Sequence, residues 1–269
     1  MKKLLKAVTI ALAVLLTLTA CSNGGNSDTD KQDTPTNTQD TLIAVLTGDP
    51  TSFHPDFKSD DNAWPVNQNI FNRLVKLNAY DQTIPDLAET WEWNEDSTQV
   101  TFHLHEGVKW HDGEPFTSAD VKWTYDTLIA EKWNKSDSFA SVESIECPDD
   151  NTVLMNLKYP DVSLIAKLSW YGTFIMPKHL YEGTDTATNE YNMKPVGTGP
   201  FKFVEFEKGV RVTLERNEDY WGDKAKLAKV IYSIIPDATT ALQAFKTGEV
   251  DYYTSIPTQN ANDFDNDPN

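Results

Sequence analysis

The sequence predicts an α/β fold built on a mixed β-sheet. Three observations lead to this prediction: a short continuous apolar run, segments in which apolar and polar side chains alternate, and segments in which apolar residues recur at helical spacing. Strands and helices do not alternate strictly, so a purely parallel sheet is not expected. The 269 residues suffice for one large or two small domains.

The first strand is predicted at residues 42–46. This run contains only Leu, Ile, Ala and Val and is closed by Gly48-Asp49-Pro50. Such a pattern is typical of a strand that is covered on both faces of its sheet. We expect function in the loop that follows, because binding residues concentrate on loops held by a rigid scaffold.

A second strand and a helix are predicted in the middle of the chain. Apolar residues at 100, 102 and 104 alternate with Thr101, His103 and His105, which indicates a half-buried strand with both histidines on the polar face. After a turn at residues 111–115, Thr117 and Asp120 have the spacing of a capping box. The apolar residues at 121, 125, 128 and 129 then predict an amphipathic helix packed on the sheet.

The last elements are a hairpin, a strand and a helix. Residues 201–206 and 210–214 alternate in polarity around Glu207-Lys208-Gly209, which predicts an antiparallel hairpin. Residues 229–235 read as another strand. Asp237 can cap a helix that Gly248 ends in a left-handed conformation, and residues 250–253 are expected to be extended.

The N-terminal 40 residues predict an exported, anchored protein. Residues 1–20 place three lysines before an apolar stretch that is too short to span a bilayer, which is typical of a secretory signal. Leu18-Thr19-Ala20-Cys21 resembles the lipobox of bacterial lipoproteins, so Cys21 is expected to carry a lipid; a chance cysteine after an ordinary signal is the alternative. Residues 21–40 lack hydrophobic side chains after Cys21 and are predicted to be a flexible tether.

Composition excludes several classes of protein. The formal net charge of −18 excludes a nucleic-acid partner, because phosphate binding depends on Lys and Arg. Eight Trp residues exclude an acidic disordered chain. With Cys21 acylated, Cys147 has no partner, so we predict no disulfide and an inert thiol at Cys147.

Two constellations could carry chemistry. His103, His105 and His111 could ligate a metal ion, but one strand face supplies only two ligands, so a structural role is favoured. Asp112 and Glu114 could be paired carboxylates of a glycosidase, but an Asp-Gly turn explains Asp112 better.

Other enzymatic motifs are missing from the sequence. Val196-Gly197-Thr198-Gly199-Pro200 has a proline where a phosphate cradle needs an amide donor, and no helix follows it. There is no Gly-x-Ser-x-Gly elbow, and Cys147 has no histidine near it in the sequence. We therefore expect no enzymatic activity, no cofactor and no metal.

Several separated motifs resemble one family of receptors. Residues 87–91 (LAETW) and 101–121 (TFHLHEGVKWHDGEPFTSADV) resemble the signature of the family 5 extracellular solute-binding proteins, the oligopeptide, dipeptide and nickel receptors of ABC importers. Further matches are SFHP at 52–55, VGTGPF at 196–201, RNEDYWG at 216–222 and AFKTGEVD at 244–251. His105 departs from the family, which usually has an arginine there, and family members are about twice as long as this chain.

The resemblance implies a periplasmic-binding-protein-like fold of type II, cluster C, over residues 41–269. Residues 41–78 and 192–269 would form a hinge-bearing lobe with a mixed sheet, and residues 79–191 an extra α/β lobe. The length implies an N-terminal fragment that lacks the second half of the ligand cleft. The turns at 110–113 and 197–199 are interpreted as structural.

The resemblance also implies a function. The chain would be a lipid-anchored receptor, in the periplasm or on the outer face of the cytoplasmic membrane, that captures short peptides and delivers them to an ABC permease. Ligand contact is expected at Ser52, Phe53 and Trp64, with Phe139 and Trp170 from the extra lobe, and binding by this chain alone is expected to be weak or absent. The alternatives are a nickel-chelate or oligosaccharide receptor of the same family, or a secreted metal-dependent hydrolase that uses His103, His105 and His111.

Overall fold

The computed structural model describes residues 40–57, 60–169 and 174–260. The predicted signal peptide, Cys21 and the tether up to residue 39 lie outside these ranges, as does Trp170. None of the helices in the described ranges is both long enough and apolar enough to cross a bilayer.

The described residues form ten strands and five α-helices. The strands are β1 (Thr41–Leu46), β2 (Val75–Leu77), β3 (Thr83–Pro85), β4 (Ala88–Trp93), β5 (Gln99–Leu104), β6 (Val142–Asp149), β7 (Thr152–Leu157), β8 (Phe201–Glu207), β9 (Arg211–Arg216) and β10 (Lys229–Ile234). The helices are α1 (Trp64–Ile70), α2 (Ser118–Ala130), α3 (Leu164–Ser169), α4 (Lys178–Tyr181) and α5 (Ala238–Thr247).

The first sheet is mixed and has the order β1-β10-β9-β8. β1 runs parallel to β10, and the other two pairs are antiparallel. Ala44 and Leu46 of β1 are buried in the main apolar core, and Val45 packs against a small second cluster that includes Leu242 of α5. Both faces of β1 are therefore covered, and the predicted α/β class with a mixed sheet is confirmed.

The second sheet is antiparallel and has the order β4-β5-β7-β6. Along β5 the side chains of Val100, Phe102 and Leu104 are buried and His103 is exposed, as the alternation predicts. β2 and β3 form a separate two-stranded sheet, and α3 packs against it.

Helix α2 begins with the predicted capping box. The Thr117 amide donates to Asp120 Oδ2 at 2.9 Å, which satisfies a donor that the helix leaves unpaired. Asp120 Oδ1 accepts from the Lys178 amide at 3.0 Å, so the same carboxylate also ties α4 to α2. The buried face of α2 packs on β6 and β7 of the second sheet.

The predicted hairpin and the C-terminal helix are present. The β8–β9 turn has Gly209 at φ +75°, and Gly248 ends α5 at φ +75°. Asp237 Oδ1 accepts from the Thr240 amide at 2.8 Å and caps α5. Residues 250–253 do not form a strand; a single parallel bridge joins Tyr252 to Ala44.

The two four-stranded sheets are built from different parts of the chain. The first sheet takes its strands from residues 41–46 and 201–234, and the second from residues 88–157. One large apolar cluster includes side chains from both sheets. The predicted lobe boundaries, 41–78 with 192–269 and 79–191, stay a prediction.

Candidate functional site

The loop at residues 47–57 follows β1 at one edge of the first sheet. Because β1 and β10 are parallel, Leu46 lies opposite Ile234 and both strands end at this edge. β9 begins there too, since Arg211 pairs with Ser233, so the β8–β9 turn joins the same edge. Ligands of open α/β sheets bind beyond the carboxyl ends of the strands, which makes this edge the candidate site.

Asp60 ties this loop to the residues that lead into α1. Its Oδ2 accepts from both the amide and the hydroxyl of Thr51 at 2.6 Å, and its Oδ1 accepts from the amides of Asn62 (2.9 Å) and Ala63 (3.0 Å). Burial alone would raise the pKa of Asp60, but these hydrogen bonds lower it below its ordinary value. Asp60 was not predicted from the sequence. Its local signal is the tendency of an Asp side chain to accept from the amides two and three residues later, here Asn62 and Ala63.

A second anchor joins the loop to the neighbouring hairpin. Asp49 Oδ1 accepts from the Gly209 amide at 2.6 Å, and Thr47 Oγ1 lies 3.3 Å from Asn62 Oδ1. A Cβ at Gly48 would lie 3.1 Å from Asn62 Nδ2, so a side chain at this position would crowd Asn62. These contacts fix the main chain at the start of the loop and favour glycine at position 48.

Ser52 and Phe53 occupy the middle of the loop. Ser52 is half-buried, and its Oγ accepts from the His54 amide at 3.1 Å. Phe53 is fully buried, with ring centroids 5.4 Å from Phe203 and 5.7 Å from Phe206. Its ring therefore holds the loop on β8, and direct ligand contact by either residue stays a prediction.

Trp64 begins α1, four positions after Asp60. It is half-buried, and its ring centroid lies 5.6 Å from that of Phe174. The Arg73 guanidinium lies 5.4 Å from the centre of the Trp64 ring and 3.9 Å from the centre of the Phe174 ring. Stacking of a guanidinium on aromatic rings fixes the rings in place. Trp64 thus packs beside Arg73 and Phe174 and keeps part of its surface exposed.

The remaining predicted contacts lie elsewhere. Phe139 is only 1% exposed and packs at 5.1 Å on Tyr125, which belongs to α2. Trp170 lies outside the described residues. Ser52 and Phe53 therefore lie in the loop, Trp64 lies at the start of α1, and Phe139 lies in the core. Ligand contact by any of these residues stays a prediction.

A buried acid lies at the end of the loop. Asp56 has no exposed surface, and burial raises its pKa to about 8, against the opposing effects of the Arg73 charge and the Phe174 main chain. The carboxyl group is therefore mostly protonated at pH 7. The sequence does not predict this group, because nothing local distinguishes Asp56 from the exposed Asp61 nearby.

The three histidines do not converge. His103 Nε2 lies 3.9 Å from Glu92, and the His105 ring packs 4.8 Å from Trp221. His111 is held by the 197–199 turn instead. Within residues 40–57, 60–169 and 174–260, no three His, Cys, Asp or Glu side chains are grouped to hold a metal ion.

His111 fastens the turn at residues 197–199. Its Nδ1 accepts from the Gly197 amide at 3.2 Å, and its Nε2 lies 3.0 Å from the Gly199 carbonyl oxygen, which assigns the proton to Nε2. Burial lowers the pKa of His111 to about 4. A Cβ at Gly197 would lie 1.9 Å from the Ile70 oxygen, so the close approach to α1 requires glycine.

A groove of about 660 Å³ lies beside β8. Phe203 and Phe206, which pack on Phe53, form part of its lining. Met193 (39% exposed) and Val204 (47% exposed) add apolar surface, and Lys194 and Lys202 add charge. This groove adjoins the support of the candidate loop, and no local sequence motif pointed to it.

Comparison with known proteins decides the family. The model of the bacterial extracellular solute-binding proteins, family 5 Middle, matches residues 82–269. The chain belongs to this family. The resemblance and the fold class inferred from the sequence are thereby confirmed, and the family comprises solute-binding components of transporters, a non-enzymatic class.

Relatives extend the match across most of this chain. The oligopeptide-binding protein AppA of Bacillus subtilis is 29% identical over 253 residues, which are 92% of this chain and 46% of AppA. The dipeptide-binding protein of Escherichia coli is 29% identical over 232 residues, covering 78% of this chain and 43% of the relative. The chain thus spans about half the length of the curated relatives it matches.

Solved structures agree with the fold. NikZ from Campylobacter jejuni in complex with Ni(L-His) has a TM-score of 0.78 at 30% identity and covers 86% of this chain and 46% of NikZ. AppA from Bacillus subtilis in complex with a nonapeptide has a TM-score of 0.78 at 29% identity and covers 84% of this chain and 46% of AppA. Both likenesses support a periplasmic-binding-protein fold for the described residues.

Proposed function

We propose that this chain belongs to the substrate-binding lipoprotein of an ABC importer and that its cargo is a short peptide. The supporting observation is the loop at 47–57, which Asp60 holds at the carboxyl edge of the first sheet. This chain is also similar over 92% of its own length to an oligopeptide-binding protein. DppA from Helicobacter pylori, in complex with the peptide STSA, is a further similar structure at 28% identity.

The proposed mechanism is capture without chemistry. An extended peptide would be held mainly by main-chain hydrogen bonds to the loop and by the exposed part of Trp64, an arrangement that leaves the peptide side chains free to vary. Hinge closure over the peptide and delivery to a permease would follow. The net charge of −18 disfavours strongly anionic cargo.

The proposal is tested by titration in solution. We expect a mixed pool of short peptides to bind weakly to this chain and to shift NMR resonances of residues 47–57 and of the Trp64 indole. Asp60→Ala should abolish the shifts, because it releases the loop, and Asp61→Ala, at an exposed neighbouring acid, should retain them. Shifts confined to other surfaces would contradict the proposal, as would tight binding that is insensitive to Asp60→Ala.

A nickel chelate is the second candidate cargo. The observation in its favour is the similarity to NikZ, whose solved complex contains Ni(L-His). Titration with nickel and histidine, followed at the NMR resonances of residues 47–57 and of the Trp64 indole, distinguishes the chelate from the peptide as cargo. Response to the chelate without response to peptides would replace the peptide proposal.

We further propose that Cys21 carries a lipid that anchors the protein outside the cytoplasm. The support is the lipobox-like Leu18-Thr19-Ala20-Cys21 and the polar stretch that follows it. Cys21→Ser is expected to move the protein from the membrane fraction to the soluble extracytoplasmic fraction. Cys147→Ser is the matched control and should stay in the membrane fraction; equal fractionation of both variants would exclude the anchor.

A further inference from the structure

We propose that His54 is the positioning residue of the loop at 47–57, acting as a neutral side-chain acceptor that folds the second half of the loop. This inference rests on the proposed function for its ligand, since the loop is the candidate peptide-binding segment. His54 Nδ1 accepts from the amides of Asp56 (3.3 Å) and Phe57 (3.0 Å), and the His54 amide donates to Ser52 Oγ at 3.1 Å. One residue thereby connects both ends of the segment 52–57.

The same hydrogen-bond pattern occurs a second time a few residues later. Asp60 Oδ1 accepts from the amides two and three residues ahead, Asn62 and Ala63. His54 Nδ1 accepts from the amides two and three residues ahead of its own position. Asp and Asn side chains commonly form such turns, and His54 provides an equivalent acceptor with an aromatic nitrogen.

The ring of His54 explains why histidine occupies this position. It is 2% exposed, and its ring centroid lies 4.7 Å from that of Trp133 and 5.4 Å from that of Tyr181, both in edge-to-face geometry. These contacts join the loop to the end of α4 and to the segment after α2. The ring therefore fixes the loop against two further elements while its Nδ1 shapes the turn.

The protonation state agrees with this role. Nδ1 can accept hydrogen bonds only when it carries no proton, so the proton of neutral His54 lies on Nε2. Nε2 has no hydrogen-bond partner among the described residues. Burial lowers the pKa of His54 to about 3, so the acceptor persists at neutral pH.

Amide hydrogen exchange by NMR on the 269-residue chain without ligand tests the role. His54→Asn retains an acceptor at the Nδ1 position and should leave exchange at Asp56 and Phe57 close to wild type. His54→Phe retains an aromatic ring without the acceptor and should speed exchange at both amides by about tenfold, with α2 amides unchanged. His103→Phe, at an exposed histidine of β5, is the matched control and should change neither amide.

Three outcomes would overturn the inference. They are wild-type exchange in His54→Phe, exchange in His54→Asn as fast as in His54→Phe, or a proton on Nδ1 in the ¹⁵N spectrum of wild type at pH 7. The ¹⁵N measurement needs no variant and holds even if His54→Phe fails to fold. Peptide titration of the same variants reports separately on the cargo: the expected exchange pattern with no response to peptide supports the role of His54 and contradicts the proposed function.

Discussion

Close contacts at single residues determine which substitutions this fold tolerates. Gly197 is such a position, because a Cβ there would lie 1.9 Å from the Ile70 carbonyl oxygen, a main-chain atom that cannot move without displacing α1. The same turn donates a hydrogen bond to His111 through the Gly197 amide. Any side chain at Gly197 therefore disturbs two elements at once.

We expect Gly197→Ala to lower the free energy of unfolding by about 3 kcal/mol or more, through overpacking. Gly107→Ala is the control: its Cβ meets nothing within 4 Å, and only the left-handed backbone at φ +73° is strained. That strain costs about 1–2 kcal/mol. Urea unfolding measures the stability of both variants. Equal losses of unfolding free energy would show that the approach of Gly197 to Ile70 is not tight. If Gly197→Ala fails to fold while Gly107→Ala folds, the result agrees with the expectation.

The hydrogen bonds of Asp60 should protect the amides on either side of residues 52–60. Asp60→Ala removes the acceptor of the Thr51, Asn62 and Ala63 amides, so these amides should exchange about tenfold faster while the β10 amides keep their protection. Asp61→Ala should leave all of them unchanged. Uniformly faster exchange, including β10, would mean that Asp60 stabilises the whole fold instead of the loop.

Among the secondary-structure elements, α2 and α4 depend on one carboxylate. Asp120→Ala removes the acceptors of the Thr117 and Lys178 amides, both partly buried, and should lower the free energy of unfolding by about 2 kcal/mol or more. Asp120→Asn keeps one acceptor oxygen and should lose less. Asp126→Ala on the exposed side of the same helix should change stability by no more than about 0.5 kcal/mol. Thermal and urea unfolding decide the order of the three variants.

The elements that the sequence predicted well are those with local signals. The capping box at Thr117, the turn glycine of the β8–β9 hairpin and the cap of α5 at Asp237 each depend on residues a few positions apart. Residues 250–253 were expected to be extended, but they form only one bridge, from Tyr252 to β1, and no strand. Strand pairing depends on a partner far away in the sequence, so a local pattern does not predict it.

The candidate site was predicted less completely for the same physical reason. Phe53 is buried because Phe203 and Phe206, about 150 positions later, cover its ring. The hydrogen bond from the Thr51 amide to Asp60 joins residues nine positions apart, and no periodic pattern in the sequence predicts such a pair. The sequence predicts which loop lies at the site, but the side chains that shape the loop are determined by contacts that only the folded chain brings together.

At the scale of the whole molecule, the buried titratable groups set opposite pH dependences. His54 and His111 have pKa values lowered by burial to about 3 and about 4, against 6.5 in the unfolded chain. Between the folded and the unfolded pKa of each histidine, the unfolded chain binds more protons than the folded chain. The free energy of unfolding therefore falls as the pH falls below 6.5. Asp56 has a pKa raised by burial to about 8, against 3.8, so the folded chain binds more protons there and stability is lost as the pH rises from about 4 to 8.

These opposing effects predict a maximum of stability near pH 6.5. Below pH 6.5 the stability lost through the two histidines as the pH falls exceeds the stability gained through Asp56. Above pH 6.5 both histidines are neutral in the folded and the unfolded chain, so only Asp56 changes the stability. A difference of one bound proton changes the free energy of unfolding by about 1.4 kcal/mol per pH unit. Asp56→Asn keeps a neutral group of the same shape, so it should remove the decline between pH 6.5 and 8 and leave the acid limb in place. Urea unfolding from pH 4.5 to 8 measures both proteins. A wild-type stability that keeps rising up to pH 8 would show that Asp56 is ionised in the folded chain.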